Sequence, residues 1–346
     1  MHGFRYVWRD RVFAVSASIG VAEINASTEN IESVMAAADT ACFLAKDKGR
    51  NQVQVFHMED EEITSRRGEV GWASRLARSI EENRFFLVFQ HADNIGCSDD
   101  LDYVEVLLRL RDEQGRVVPP MAFIPAAERY QLMGSVDRWV VKRVLHCLSH
   151  YESAPTAEGA FVRQARMAVN LSGVSLSDPS FLSFVLDEFD RTGANPARLC
   201  FEITETAAIS NLRRATRFME QLKERGCRFA LDDFGSGLSS FAYLKNMPVD
   251  YLKIDGMFVK GAAANSTDFS MVESINRIGH VMGMKTIAEF VESKTILEQM
   301  KRLGIDFVQG YHVHQPESFT TLVERGYVGQ RGHSRGILVP GGRLIH

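Results

Sequence analysis

Cysteine is scarce in this chain, long apolar runs are missing, and neither sign of charge dominates. The five cysteines (Cys42, Cys97, Cys147, Cys200, Cys227) lie far apart with no Cys-x-x-Cys pair. That spacing excludes a disulfide framework and a thiolate zinc site, and it fits reduced, buried thiols. No stretch reaches the roughly 18 apolar residues that a membrane helix needs. The first residues mix Arg5, Arg9, Asp10 and Arg11 with a short apolar strand, which is not the pattern of a signal peptide. A cytoplasmic chain is expected, either by itself or as the cytoplasmic part of a larger, membrane-bound sensor. A formal net charge of -4 argues against a general binder of DNA, RNA or anionic membranes. With 346 residues, 45% of them hydrophobic and 24% charged, the sequence reads as a soluble globular protein with one large domain and a smaller piece.

The pattern divides near residue 84. Before it, strands are expected at Arg5–Val7, Phe13–Ala22 and Gln52–Phe56, with a helix from Ile31 to Lys48. A charged segment opening at Glu59-Asp60-Glu61-Glu62 follows. Val70, Ala73, Leu76, Ala77 and Ile80 then recur at a helical period suited to a connecting helix. Beyond Arg84, short apolar runs alternate with amphipathic helices. Strands are expected at Phe85–Gln90, Tyr103–Leu110, Arg166–Leu171, Leu199–Thr204, Arg228–Asp232, Tyr251–Asp255, Lys285–Glu289 and Asp306–Gln309. Eight strands mostly separated by helices predict an α/β protein with a TIM-like (β/α)8 barrel, a doubly wound open sheet being the alternative. The expected boundaries are 1–57, a helical linker 58–83, a barrel domain 84–325 and a flexible tail 326–346.

The most informative stretch is Ala230-Leu231-Asp232-Asp233-Phe234-Gly235, an apolar strand running into two adjacent carboxylates. Neighbours within a strand point to opposite faces, so both serve one site best where the strand breaks. Polar residues recur at the other strand ends: Gln90, Asn170, Glu202, Lys253, Asp255, Glu289 and Gln309, with Glu105 inside the second strand. One such residue is an ordinary turn former. A carboxylate within Val104-Glu105-Val106 is harder to dismiss, because an unpaired buried charge is costly. In a barrel these ends converge on one mouth. The donors are oxygens, with no Cys or His among them, which suits Mg2+ or Mn2+ rather than zinc. Five carboxylates beside Lys253 suggest a site for two divalent ions, with Lys253 and Glu289 placed to act on an attacking water.

Glu105-Val106-Leu107-Leu108-Arg109, Asn170-Leu171-Ser172, Glu202-Ile203-Thr204-Glu205, Asp232-Asp233-Phe234-Gly235, Leu252-Lys253-Ile254-Asp255, Glu289-Phe290-Val291-Glu292 and Gln309-Gly310-Tyr311 together closely resemble the EAL-domain phosphodiesterases, in order and spacing. The resemblance implies a barrel with one strand reversed and hydrolysis of cyclic di-GMP to linear pGpG with two Mg2+ or Mn2+ ions. It implies that Glu105, Asn170, Glu202 and Asp232 hold one ion and that Asp232, Asp233 and Glu289 hold the other, with Lys253 and Glu289 catalytic. Gln90, Arg109, Asp255, Glu292 and Gln309 would shape the dinucleotide pocket. Glu205 would anchor the loop Phe234–Ser240, which links metal binding to a homodimer interface. The alternative is a non-catalytic cyclic di-GMP receptor, but no ligand is missing. Four departures stand out: Val106 in the signature, His91-Ala92 in place of a proline, an exchange expected to loosen the first loop, Leu238 in place of tyrosine, and Phe290 in place of glycine beside Glu289.

Ser16–Ala22, Ala38–Lys46 and Gly49-Arg50-Asn51 resemble the last third of a GGDEF diguanylate cyclase domain without its signature. The resemblance implies a catalytically silent remnant, Lys46 and Arg50 being solvated charges, in a piece of a longer tandem GGDEF and EAL sensor.

Overall fold

A computed structural model describes residues 75–96, 101–235 and 243–319, together with short stretches of the first 55 residues. These fall into two compact units, residues 1–83 with 118–132, and residues 84–117 with 133–346.

In the first unit, Arg5–Trp8 pairs antiparallel with Arg11–Ala14, and Ile19–Val21 pairs in parallel with Val53–Val55. The expected strand Phe13–Ala22 is therefore two separate short strands. A parallel pair needs a crossover, and residues 34 and 38 between its strands are helical. Residues 75–81 are helical with Leu76 and Ser79 buried and Ala77 exposed, so the buried face departs from the expected apolar period. Lys46, Arg50, Leu238, the loop beyond Gly235 and the tail after Phe319 lie outside the described residues.

In the second unit, eight strands close into a barrel. They are β1 (Phe85–Asn94), β2 (Asp102–Arg111), β3 (Ala165–Leu171), β4 (Leu199–Thr204), β5 (Arg228–Phe234), β6 (Tyr251–Ile254), β7 (Lys285–Ala288) and β8 (Phe307–Val308). β2 to β8 run parallel in chain order, and β1 closes the ring between β8 and β2, antiparallel to both. Closure rules out the open sheet, and one strand is reversed, as the resemblance implies. Helices such as Met133–Glu152, Pro179–Thr192, Leu212–Glu224 and Ser266–Val281 alternate with the strands. Met167, Val169, Phe201, Ile203, Phe229, Leu231 and Leu252 are buried as well as the barrel interior, which explains why these strands read as continuous apolar runs.

The barrel interior is built in layers of one residue per strand. Ala92, Tyr103, Ala168, Cys200, Ala230, Tyr251, Ile287 and Phe307 form one buried cluster. Tyr103, Tyr251 and Phe307 meet with ring centroids 5.1–6.1 Å apart and plug the centre. Aromatic contacts of this kind contribute about 0.5–1.5 kcal/mol each beyond their burial. Because side chains repeat with period two, the next inward position lies two residues toward the mouth on every strand. Those positions are Glu105, Asn170, Glu202, Asp232, Lys253, Glu289 and Gln309. On the reversed β1, the equivalent residue precedes Ala92 and is Gln90. An apolar plug therefore carries a complete layer of polar and charged side chains.

Candidate active site

Lys253 is the hub of that layer. Its Nζ lies 2.8 Å from Glu202 Oε2, 2.8 Å from Glu289 Oε1, 3.1 Å from Asp232 Oδ1 and 3.5 Å from Glu105 Oε2. The side chain is only 1% exposed. Burial alone would strip its proton, but Asp232, Glu105, Glu202 and Glu289 hold its pKa well above the ordinary value.

The carboxylates divide by their partners. Glu105 Oε1 accepts from Asn170 Nδ2 at 2.7 Å, and Oε2 accepts from Gln309 Nε2 at 2.6 Å. Burial works against its charge, yet Lys253 and these two amides keep its pKa below the ordinary value. Glu202 accepts from the Tyr103 hydroxyl at 2.6 Å, and burial together with the nearby charge of Glu105 raises its pKa well above normal. Burial also pushes Glu289 up to about 8, against the pull of Lys253.

Asp232 and Asp233 both reach the site although they are consecutive. Asp233 sits at φ 53°, and the pairing of β5 with β6 shifts register between Leu231 and Phe234. Such a bulge re-aims a side chain that would otherwise face the opposite side. The strand does not end at Asp232, as expected, but kinks there and continues to Phe234. As a result, carboxylate oxygens of Asp232, Asp233 and Glu289 lie within 4.8 Å of one another. Burial and the charge of Asp232 raise the pKa of Asp233. A cluster of oxygens with surplus negative charge fits hard divalent cations.

Gln90 and Gln309 join the same network. Gln309 Nε2 bridges Glu105 Oε2 and Gln90 Oε1, the latter at 3.1 Å, while its own Oε1 is buried without a hydrogen-bond partner. Gln90 does not close its strand. β1 runs on to Asn94, and Gln90 lies opposite Glu105 in mid-strand. His91 and Ala92 continue that strand, so no loosened loop follows Gln90.

Four predicted residues stand outside this network. Arg109, on the same face of β2 as Glu105 but nearer the mouth, donates from Nη1 to the carbonyl of Leu108 at 2.9 Å. Asp255 caps the helix Gly256–Gly261 by accepting from Met257 N–H at 2.8 Å. Glu292 is exposed and pairs with Lys260 at 3.4 Å. Glu205 is buried beneath the strand-five turn, accepting from Gly235 N–H at 3.2 Å and from the Tyr243 hydroxyl.

Phe290 leaves Glu289 in place. It adopts φ 51° and turns away, lying against Gly256 where a Cβ would fall 2.2 Å from its ring, with Lys260 Nζ 4.3 Å from the ring centroid. Sequence reasoning missed Tyr103, the hydroxyl that binds Glu202. The signal was present, because Tyr103 and Glu105 alternate onto one face of β2.

Residues 73–316 match the EAL domain family. The chain is 38% identical over 313 residues to cyclic di-GMP phosphodiesterase PdeB of Shewanella oneidensis, covering 90% of this chain and 36% of that protein. It is 35% identical over 249 residues to cyclic di-GMP phosphodiesterase PdeF of Escherichia coli, covering 72% of this chain and 32% of that one. It thus spans about a third of each of these relatives. The FimX EAL domain of Pseudomonas aeruginosa, solved with c-di-GMP bound, is similar with a TM-score of 0.65 at 30% identity, covering 71% of this chain and 96% of that one. A MucR phosphodiesterase in complex with c-di-GMP is similar with a TM-score of 0.65 at 28% identity, covering 73% of this chain and 99% of that one. The match over most of the chain, and the barrel with its reversed strand, make this protein a member of the EAL domain family.

Proposed function

We propose that this chain hydrolyses cyclic di-GMP to linear 5′-pGpG. The observation that carries the reading is the polar layer, in which Glu105, Glu202, Asp232 and Glu289 all surround Lys253. Relatives named as cyclic di-GMP phosphodiesterases, and similar domains solved with c-di-GMP, support the choice of substrate.

Glu105, Asn170, Glu202 and Asp232 would hold one Mg2+ or Mn2+ ion, and Asp232, Asp233 and Glu289 a second. Bound there, the ions would activate a water and neutralise charge developing on the phosphodiester. Glu289, whose Oε1 lies 2.8 Å from Lys253 Nζ, would accept a proton from that water. The water oxygen would bond to phosphorus as the bond to one 3′ oxygen breaks, that oxygen would take a proton from solvent to become a hydroxyl, and the dinucleotide would open with a 5′ phosphate. Lys253 keeps a positive charge at the centre throughout. Gln309 Oε1, buried and without a partner, offers an acceptor to substrate N–H groups. Gln90, Arg109, Asp255 and Glu292 complete the pocket.

The loop Phe234–Ser240 connects the site to a homodimer interface, a reading supported by the hold of Glu205 on Gly235 and Tyr243. Residues 1–57 are GGDEF-like, a reading supported by the parallel pairing of Ile19–Val21 with Val53–Val55.

Chromatography of nucleotides after incubation with cyclic di-GMP and Mg2+ or Mn2+, with an EDTA control, tests the proposal. Metal-dependent pGpG is expected. Binding without turnover would replace the enzyme with a receptor.

A further inference from the structure

We infer that His314 is a positioning residue that orients Glu105 through Gln90 and Gln309. The starting point is a gap in the barrel ladder. β1 pairs with β8 at Asp93 and Asn94, and again with Glu317 at Phe89, whose main-chain groups bond in both directions at 2.8 and 3.0 Å. Between these pairings the chain leaves the ladder at Gln309 and returns at Glu317. His314 fills the gap from inside this excursion. Its Nδ1 accepts from the His91 N–H at 3.5 Å, which leaves Nε2 to donate to Glu317 Oε1 at 2.6 Å. The imidazole is fully buried.

The carbonyl of the same residue sets the direction of an amide chain. His314 O accepts from Gln90 Nε2 at 2.8 Å, which turns Gln90 Oε1 toward Gln309 Nε2. Gln309 Nε2 in turn donates to Glu105 Oε2. An ionised carboxylate only accepts, so the chain has one consistent orientation from His314 to Glu105. The excursion is pinned at its other side as well. His314 N–H donates to Gly310 O at 2.8 Å, and His312 N–H donates to Val291 O at 3.1 Å. Gly310 permits this approach, since a Cβ there would lie 2.3 Å from the Val291 backbone. Imidazole, carbonyl and turn thus fix one end of the line that aims Glu105.

The inference rests on the proposed function only where activity is read, so the test begins with Mn2+ binding measured by calorimetry. His314→Phe keeps a ring and removes both nitrogens, and Gln90→Leu removes the next link. Each is expected to weaken Mn2+ binding by about tenfold, the usual effect of losing a group that orients a ligand. The double variant should be little worse than either single one, because both cut the same line. In turnover, His314→Phe, which alters no pocket side chain, should lower kcat while KM for cyclic di-GMP stays within about twofold, a split that general loosening of the fold would not give. Unchanged Mn2+ affinity in folded His314→Phe, or fully additive losses, overturns the inference. Where His314→Phe does not fold, the cycle of His314→Gln with Gln90→Leu decides by the same criterion. A wild-type chain that binds Mn2+ but leaves cyclic di-GMP intact would refute the proposed reaction, and the binding cycle would still decide the role of His314.

Discussion

Lys253 Nζ lies 2.8 Å from Glu289 Oε1, and the same ammonium touches three further carboxylates. Removing either partner should therefore have opposite signatures. Glu289→Ala leaves Lys253 with Glu202, Asp232 and Glu105, so the fold should persist. Loss of the base should lower turnover by about 10²–10⁴-fold, read as pGpG formed per minute. Near-normal turnover would remove Glu289 from catalysis.

Lys253→Met takes the only cation out of that ring and leaves the acids buried against one another. Breaking a buried pair in this way costs about 3–5 kcal/mol, which should appear as a lower urea midpoint at neutral pH. Saturating Mn2+ should recover much of the loss if the acids are its ligands. A variant that melts like wild type without metal would show that the acids are already protonated.

The pKa of Glu289, raised to about 8, sets a pH window. An unfolded glutamate titrates near 4.5, so between about 4.5 and 8 the folded metal-free protein binds more protons. This contribution to stability is present in full below that window and is lost as pH rises through it. A divalent ion needs the ionised form, so Mn2+ affinity should climb up to about pH 8 and then level off. Calorimetry at pH 7 in buffers of different ionisation enthalpy should show proton release. Binding without release would contradict the raised value.

Phe290 holds a left-handed angle that costs a non-glycine residue about 1–2 kcal/mol. Phe290→Ala keeps that cost and loses the ring that covers Gly256. Phe290→Gly loses the ring and relieves the angle. The glycine variant should therefore be the more stable of the two by about 1 kcal/mol in thermal melts, and both should retain turnover. The reverse order would mean that the backbone carries no strain here.

Much of this was legible in the sequence because period two acts on every strand. Glu105, Asn170, Glu202, Lys253 and Gln309 each stand two residues beyond an inward residue of the plug, and apolar neighbours make them conspicuous. Gln90 was found for an incomplete reason. Its place at the end of an apolar run suggests a strand end, whereas on a reversed strand it precedes its plug residue Ala92. Nothing local reports strand direction, since it is decided by the partners across the ladder. The kink at Asp233 was half legible. The broken strand could be read, but the left-handed angle that brings two neighbours to one centre is a property of the folded ring. Tyr103 was hidden by its chemistry, because a tyrosine in an apolar strand looks like core until its hydroxyl is seen on Glu202. His314 sits in an irregular excursion that no period describes.

The reversal of β1 also decides where the chain arrives. In an all-parallel barrel the first strand begins at the face opposite the mouth, and whatever precedes it is fastened far from the chemistry. Here Phe85 is paired with Leu110, near the C-terminal end of β2, so the chain enters on the rim above Glu105 and Lys253. The segment before Phe85 therefore leads directly into the strand that carries Gln90.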